Sequence, residues 1–164
     1  KRRGIVTCRY IHLLLPGQNR EAELVRYKQA LEVQWDYYGP FGFAAMVAEA
    51  GEEFSNLTAK VEPDTLLHKD IALFGTPSEI VAKIMKLKED VGYDDFMFHT
   101  WFELAGFSAA ETETQMQYFA EECMPELYRL CGGRPQHKPE FAIPAFDDVR
   151  SRDDVIENVH FLTQ

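Results

Sequence analysis

Residues 75–102 carry the strongest folding signal in the sequence, a helix whose start and end are both encoded and which leads at once into a strand. Thr76 is placed to cap this helix, and Glu79 completes a capping box. One face of the helix is apolar and Gly92 ends it; the apolar residues are Ile80, Ile84, Leu87 and Val91. The aromatic run of residues 95–102 then predicts a strand. A helix that leads directly into a strand is the repeating unit of a parallel sheet.

A second strand–helix unit lies at the start of the chain. Ile5–Leu15 is a β-branched and apolar run with little alternation, which is typical of a strand covered on both faces. Asn19 can cap a helix over residues 19–38, whose apolar side chains recur at helical spacing: Leu24, Tyr27, Leu31, Trp35 and Tyr38. We expect residues 5–14 and 95–101 to be parallel neighbours in one sheet.

The segment between these units has weaker signals. Residues 41–51 predict a short helix, and residues 52–70 predict a connector, so that 41–70 together form an insertion. The apolar run of residues 71–74 is too short for its pattern to distinguish a strand from a helix.

The C-terminal part begins with a second capping box, Ser108 to Glu111, which predicts a helix over residues 108–124. Pro125 should kink or restart this helix. Its predicted buried face consists of Met116, Phe119, Cys123, Leu127 and Leu130. Residues 134–164 show no reliable periodicity and are interpreted as a C-terminal tail.

The net charge and the distribution of cysteine and histidine exclude several classes of function. A formal charge of −10 repels phosphate backbones and anionic lipid, so nucleic acids and membranes are poor partners. The three cysteines have no CxxC spacing and the histidines are scattered, which argues against a disulfide framework and a zinc site. We see neither a signal peptide nor a membrane-spanning run, and we expect a cytoplasmic protein. Because the first residue is Lys1 and not Met, we expect that the chain has been trimmed or begins within a longer protein.

Two parallel strands cannot form a stable sheet alone, so these units need further strands. Three stretches, residues 5–38, 75–98 and 118–127, resemble the C-terminal part of the bacterial-luciferase-like family of flavin-dependent monooxygenases. The resemblance implies an α/β fold, the C-terminal portion of a (β/α)8 TIM-type barrel, incomplete in this chain. Residues 1–133 would carry the seventh strand, Ile5–Leu15, and the eighth, Asp95–Phe102.

The same resemblance implies a reaction. The complete protein would use reduced FMN and O2 to oxidise a small organic substrate, with a flavin reductase as the partner that supplies the reduced flavin. The phosphate site and most residues around the flavin ring would lie in the earlier strands, so we expect this chain alone to be inactive. It would need the N-terminal remainder of the barrel or an oligomer. Two alternatives stay open: a deazaflavin-dependent oxidoreductase, and a non-catalytic barrel fragment that acts in association.

Candidate site residues follow from the rule that barrel enzymes place their chemistry at the carboxyl ends of the strands. The rule selects Phe98, His99, Trp101 and Glu103 as cofactor- or substrate-binding residues, while the catalytic residues stay unassigned. Trp101 would flank a flat ring and His99 would donate a hydrogen bond. The alternative is that the Phe-rich strand is core and His99 is a barrel histidine with its hydrogen bonds satisfied.

Other conspicuous residues are better interpreted as structural. His12, near the end of the first strand, is expected to be a core histidine. Residues 75–78 could bind a phosphate at a helix start, but Glu79 would place a negative charge there, so a structural cap is favoured. Cys8, Cys123 and Cys131 are expected to be buried by packing.

Overall fold

The structure, a computed structural model, describes residues 4–48, 60–94 and 96–133. Within these ranges the strands are β1 (Gly4–Leu13), β2 (Ala72–Gly75) and β3 (Phe96–Trp101). The α-helices are α1 (Arg20–Tyr38), α2 (Pro63–His68), α3 (Pro77–Val91), α4 (Ala109–Tyr118) and α5 (Met124–Leu130). Two 3-10 turns, Gly39–Phe41 and Phe43–Val47, follow α1, and a π-helical turn, Phe119–Cys123, joins α4 to α5.

The three strands form one parallel sheet in the order β2-β1-β3. Tyr10 of β1 pairs with Ala72 on one side and with Trp101 on the other. The prediction that residues 5–14 and 95–101 are parallel neighbours is confirmed. The undecided run of residues 71–74 contributes β2, which is buried along its whole length because it lies between helices on both faces.

The strand order can be compared with the order that a (β/α)8 barrel requires. Strands that are consecutive along the chain are neighbours in a (β/α)8 barrel. Here β1 and β3, the two strands assigned to the barrel, are neighbours as expected. However, β2 lies on the opposite edge of β1, so the three strands are not in the order of three consecutive barrel strands. The described fold is α/β with a small parallel sheet.

Each face of the sheet carries its own hydrophobic core, because alternate residues of β1 point to opposite sides. The first core contains Tyr10 and packs beneath α1 and α2; it also includes Tyr27, Leu31, Trp35, Leu66 and Phe74. The second core contains Ile11 and Leu13 and packs beneath α3 and the C-terminal helices; it also includes Leu73, Ile80, Ile84 and Cys123. β1 is therefore covered on both faces, as its sequence predicted.

The helix starts are built as the sequence predicted. Asn19 caps α1 by accepting a hydrogen bond from the backbone N–H of Ala22. Both halves of the capping box are formed at α3 by Thr76 and Glu79, and the equivalent box opens α4. Gly92 ends α3 with φ of 72°, in the left-handed region that glycine adopts at little cost.

The C-terminal helix departs from the predicted face. Pro125 has no N–H and cannot continue a regular α-helix, and the π-helical turn immediately precedes the α5 segment that contains it. The wider turn rotates the preceding helix, so that Gln115 rather than Met116 is buried, with Met116 53% exposed. The prediction of a buried Met116 and Leu130 was wrong for this reason, and Leu130 is 43% exposed at the helix end.

Cys123 and Cys131 also differ in burial. Cys123 is buried, as predicted, whereas Cys131 is exposed because the helix has ended at Leu130. The side chain of Cys8 lies outside the described set.

The structure describes residues 41–48 and 60–70 of the predicted insertion. Its first part forms the 3-10 turns instead of a regular helix, and its last part contains α2. Residues 49–59, Asp95 and the predicted tail, residues 134–164, lie outside the described residues. None of the described helices is long and apolar enough to cross a membrane.

Candidate functional site

The carboxyl ends of parallel strands are where α/β proteins usually place their binding groups. β1 and β2 end side by side, with Leu13 paired to Gly75. β3 ends earlier, with Trp101 opposite Tyr10. The strand ends are therefore staggered, and the loop that follows β3 together with α4 covers the last residues of β1.

His12 lies at the centre of this end of the sheet and is only 3% exposed. Its ring stacks on Tyr27 and Phe74, with centroid distances of 5.2 and 6.0 Å, and Phe107 is tilted against it at 4.9 Å. Nε2 is 3.3 Å from Oε2 of Glu23. Burial lowers the pKa of His12 below its usual 6.5, against the opposing effect of Glu23. A buried, neutral histidine held by aromatic rings is a core residue, as predicted.

An ion pair lies next to Phe107, the ring that is tilted against His12. The guanidinium of Arg26 lies 4.3 Å from the centroid of the Phe107 ring and forms an ion pair with Glu111. Hydrogen bonds from Ser108, followed by that from Arg26, lower the pKa of Glu111 to about 2. These charges neutralise each other and cap α4, so this cluster stabilises the strand ends without leaving a reactive group.

The structure brings two of the four predicted site residues together. β3 alternates between half-buried and exposed residues, and His99 and Trp101 share its exposed face with Met97. Their ring centroids are 5.5 Å apart, and Trp101 is 44% exposed. Phe98 points to the opposite face, where it packs against the second core. The exposed pair is thus a flat aromatic wall with a polar imidazole beside it.

Glu103 lies apart from this pair. It lines a cavity of about 640 Å³ between the loop after β3 and the outer face of α4. The cavity lining consists of Glu103, Phe107, Ala109, Thr112, Glu113, Met116 and Gln117. Sequence reasoning selected Glu103 but missed Glu113 and Met116, because the predicted helix face did not include the π-helical turn. No local signal marked them, because Met116 was predicted to lie on the buried face of the helix.

The start of α3 is occupied by a carboxylate of the chain itself. Glu79 already occupies the N-terminus of α3, where it accepts from the Thr76 N–H at 2.7 Å and binds Arg20 through two hydrogen bonds of 2.9 Å. The bond from Arg20, and then the Thr76 backbone bond, lower the pKa of Glu79 to about 2, so its negative charge persists at neutral pH. The predicted structural cap is confirmed.

Across residues 4–48, 60–94 and 96–133, no three His, Cys, Asp or Glu side chains are grouped to hold a metal ion.

Comparisons with protein-family models, with curated proteins and with solved structures found no match to this chain.

Proposed function

We propose that this chain is part of a flavin-dependent monooxygenase of the luciferase-like type, which uses reduced FMN and O2 on a small organic substrate. One observation carries the proposal beyond the resemblance in sequence. His99 and Trp101 were selected because they lie at the carboxyl end of the last predicted strand. In the structure they lie side by side on the exposed face of β3. A flat, rigid aromatic at a strand end suits contact with a planar ring.

The chain's own part in this function is to form one wall of the pocket. Trp101 would cover one side of the ring and limit water access, and His99 would offer a hydrogen bond at its edge. Reduced flavin supplies the oxygen chemistry when it is bound. Because Glu79 occupies the start of α3, the phosphate of the cofactor would bind to another part of the protein.

The position of β3 in the sheet supports the proposal that another part of the protein completes the cofactor site. β3 is one of the two edge strands of the described sheet, and no strand among the described residues pairs with its outer edge. The eighth strand of a closed barrel pairs there with the first. β2, which the resemblance did not assign, pairs with the edge of β1 that the sixth strand would take in a barrel, and this pairing argues against the barrel.

A second candidate is a non-catalytic role in association. The observation that favours it is the exposure of Met97 and Trp101, each 44% exposed, on an edge strand. Such surfaces normally recruit a partner. A deazaflavin-dependent oxidoreductase is the third candidate, since the same aromatic wall would suit a deazaflavin ring.

The coding sequence upstream of Lys1 provides the first test. The proposal expects about six further strand–helix units there, as an eight-stranded barrel requires. The complete protein should then consume O2 when supplied with reduced FMN and substrate, and Trp101→Ala should lower the rate. Reduced deazaflavin tested in parallel separates the two cofactors. A complete protein that binds neither cofactor would favour the role in association.

A further inference from the structure

We propose that the cavity between the β3–α4 loop and α4 binds an organic cation with an apolar body, such as an arylalkylammonium ion. This inference does not depend on the proposed function. The cavity is a cleft open to solvent, and most of its lining residues are exposed. Its volume of about 640 Å³ is within the usual range of about 300–1,000 Å³ for small-molecule sites. A molecule with one aromatic ring and a substituted ammonium group fits that volume.

The charge of the lining selects a cation. Glu103 and Glu113 both line the cavity, and none of the described lining residues is a lysine or an arginine. Within the described part of the chain, neither carboxylate has a hydrogen-bond or ion-pair partner. Glu111 on the same helix differs, because it is paired with Arg26 and with Ser108. The two lining carboxylates are therefore available to an incoming positive charge.

The apolar lining selects a ligand with a hydrophobic body. Met116 is 53% exposed, and its flexible, polarisable thioether can adapt to a ring or an alkyl chain. Phe107 is held in place by His12 and Arg26. Because Arg26 already lies over that ring, the ligand's cation should sit at the carboxylates, and its apolar body should contact Met116 and Phe107.

The polar lining residue Gln117 is already engaged in a hydrogen bond. The side-chain amide of Gln117 donates to Glu121 at 2.9 Å, which holds it along the helix. The net charge of −10 adds a general attraction for cations and repels anions of the same size. The cavity thus favours a cation over a neutral or an anionic compound of similar shape.

The test uses three probes that share a benzyl or phenyl ring: benzyltrimethylammonium, benzyl alcohol and benzoate. The chain is labelled with ¹³C at the methionine methyl groups and titrated with each probe by NMR. We expect the cation to shift the Met116 methyl resonance saturably, with little change at Met97, which lies exposed on β3. Benzyl alcohol should bind more weakly and benzoate should not bind. Added salt should weaken binding of the cation.

Matched variants locate the charge. Glu103→Gln and Glu113→Gln should each weaken cation binding by roughly two- to fivefold, the range of exposed ion pairs, and the double variant should remove the preference over benzyl alcohol. Glu89→Gln removes an exposed carboxylate that does not line the cavity and should leave binding unchanged. The proposal is overturned if Met116 shows no saturable shift, if benzyl alcohol binds equally well, or if Glu89→Gln weakens binding as much as the cavity variants do.

Discussion

The side-chain amide of Gln115 bonds both backbone groups of Leu13. The Leu13 N–H donates to Oε1 at 2.6 Å, and Nε2 donates to the Leu13 carbonyl oxygen at 3.0 Å. In the parallel ladder these groups point toward β3, which has already ended at Trp101. Gln115 therefore occupies the hydrogen-bonding position of a strand residue that is missing, and it is only 4% exposed.

Replacing this glutamine should destabilise the chain. Gln115→Ala leaves a buried N–H and a buried carbonyl without partners, which costs about 1–3 kcal/mol of unfolding free energy for each unsatisfied group. Urea denaturation measures the loss, and hydrogen exchange at the Leu13 amide should accelerate. Gln117→Ala is the control, because that exposed side chain bonds only Glu121. Equal stability of the two variants would contradict the structural role of Gln115.

Stability should fall as the pH is lowered through the range in which His12 titrates. Burial lowers the pKa of His12 in the folded state, while in the unfolded chain it returns to about 6.5. Between these values the unfolded state binds more protons, so unfolding free energy decreases as pH falls from 6.5 and levels off below the folded pKa. Chemical denaturation at successive pH values measures this slope.

The pKa of Glu111, near His12, lies well below this pH range. Glu23, Arg26 and Glu111 are the charged groups that act on it, and the stabilising contribution of Glu111 is lost only as pH falls from about 4.5 toward 2. His12→Gln should flatten the slope between neutral pH and the acidic range, whereas His68→Gln, at an exposed position, should not. A slope that survives in His12→Gln would assign it to a different group.

The two tryptophans should differ in their effect on stability. Trp35 is 7% exposed in the first core, and its Nε1 has no hydrogen-bond partner among the described residues, so its contribution is packing. Trp35→Ala should cost about 3–5 kcal/mol. Trp101→Ala should cost much less, because the ring is 44% exposed, and it should lower turnover in the complete protein. If Trp101→Ala unfolds the chain as severely, Trp101 is a core residue.

The chain by itself should not bind FMN with useful affinity. Glu79 fills the start of α3 with a carboxylate whose partner is Arg20, and the net charge of −10 repels a phosphorylated ligand. Titration of FMN followed by its fluorescence measures this affinity. Stoichiometric quenching in the micromolar range would mean that a phosphate site exists in this chain.

The predictable parts of the fold are those that local residues encode. Asn19, Thr76 and Ser108 lie beside the backbone groups that they cap, so the starts of α1, α3 and α4 could be identified from the sequence. β2 could not, because four apolar residues become a strand here only through pairing with β1. Gln115 gave no local signal either, since its partner is 102 residues away along the chain.

In the candidate site, too, local sequence predicts some features, whereas others depend on distant contacts. Alternation along a strand places His99 and Trp101 on one face, and the same rule already separates Phe98 from them. Glu103 could be placed in a loop after the strand, but not in a cavity with Met116. That arrangement depends on the π-helical turn, which rotates α4 relative to the helix that follows.

The central position of β1 has a consequence for the order in which the chain folds. Both other strands pair with β1, yet neither follows it closely, and the Thr100 hydroxyl reaches the Arg9 carbonyl across 91 residues of chain. Closing such long loops costs entropy before any pairing compensates for it. We therefore expect the capped helices to form early and the sheet to assemble late. On a ribosome, β1 could pair with β3 only after residues beyond Trp101 had emerged. Until then its unpaired backbone groups and its apolar side chains would be exposed to other chains.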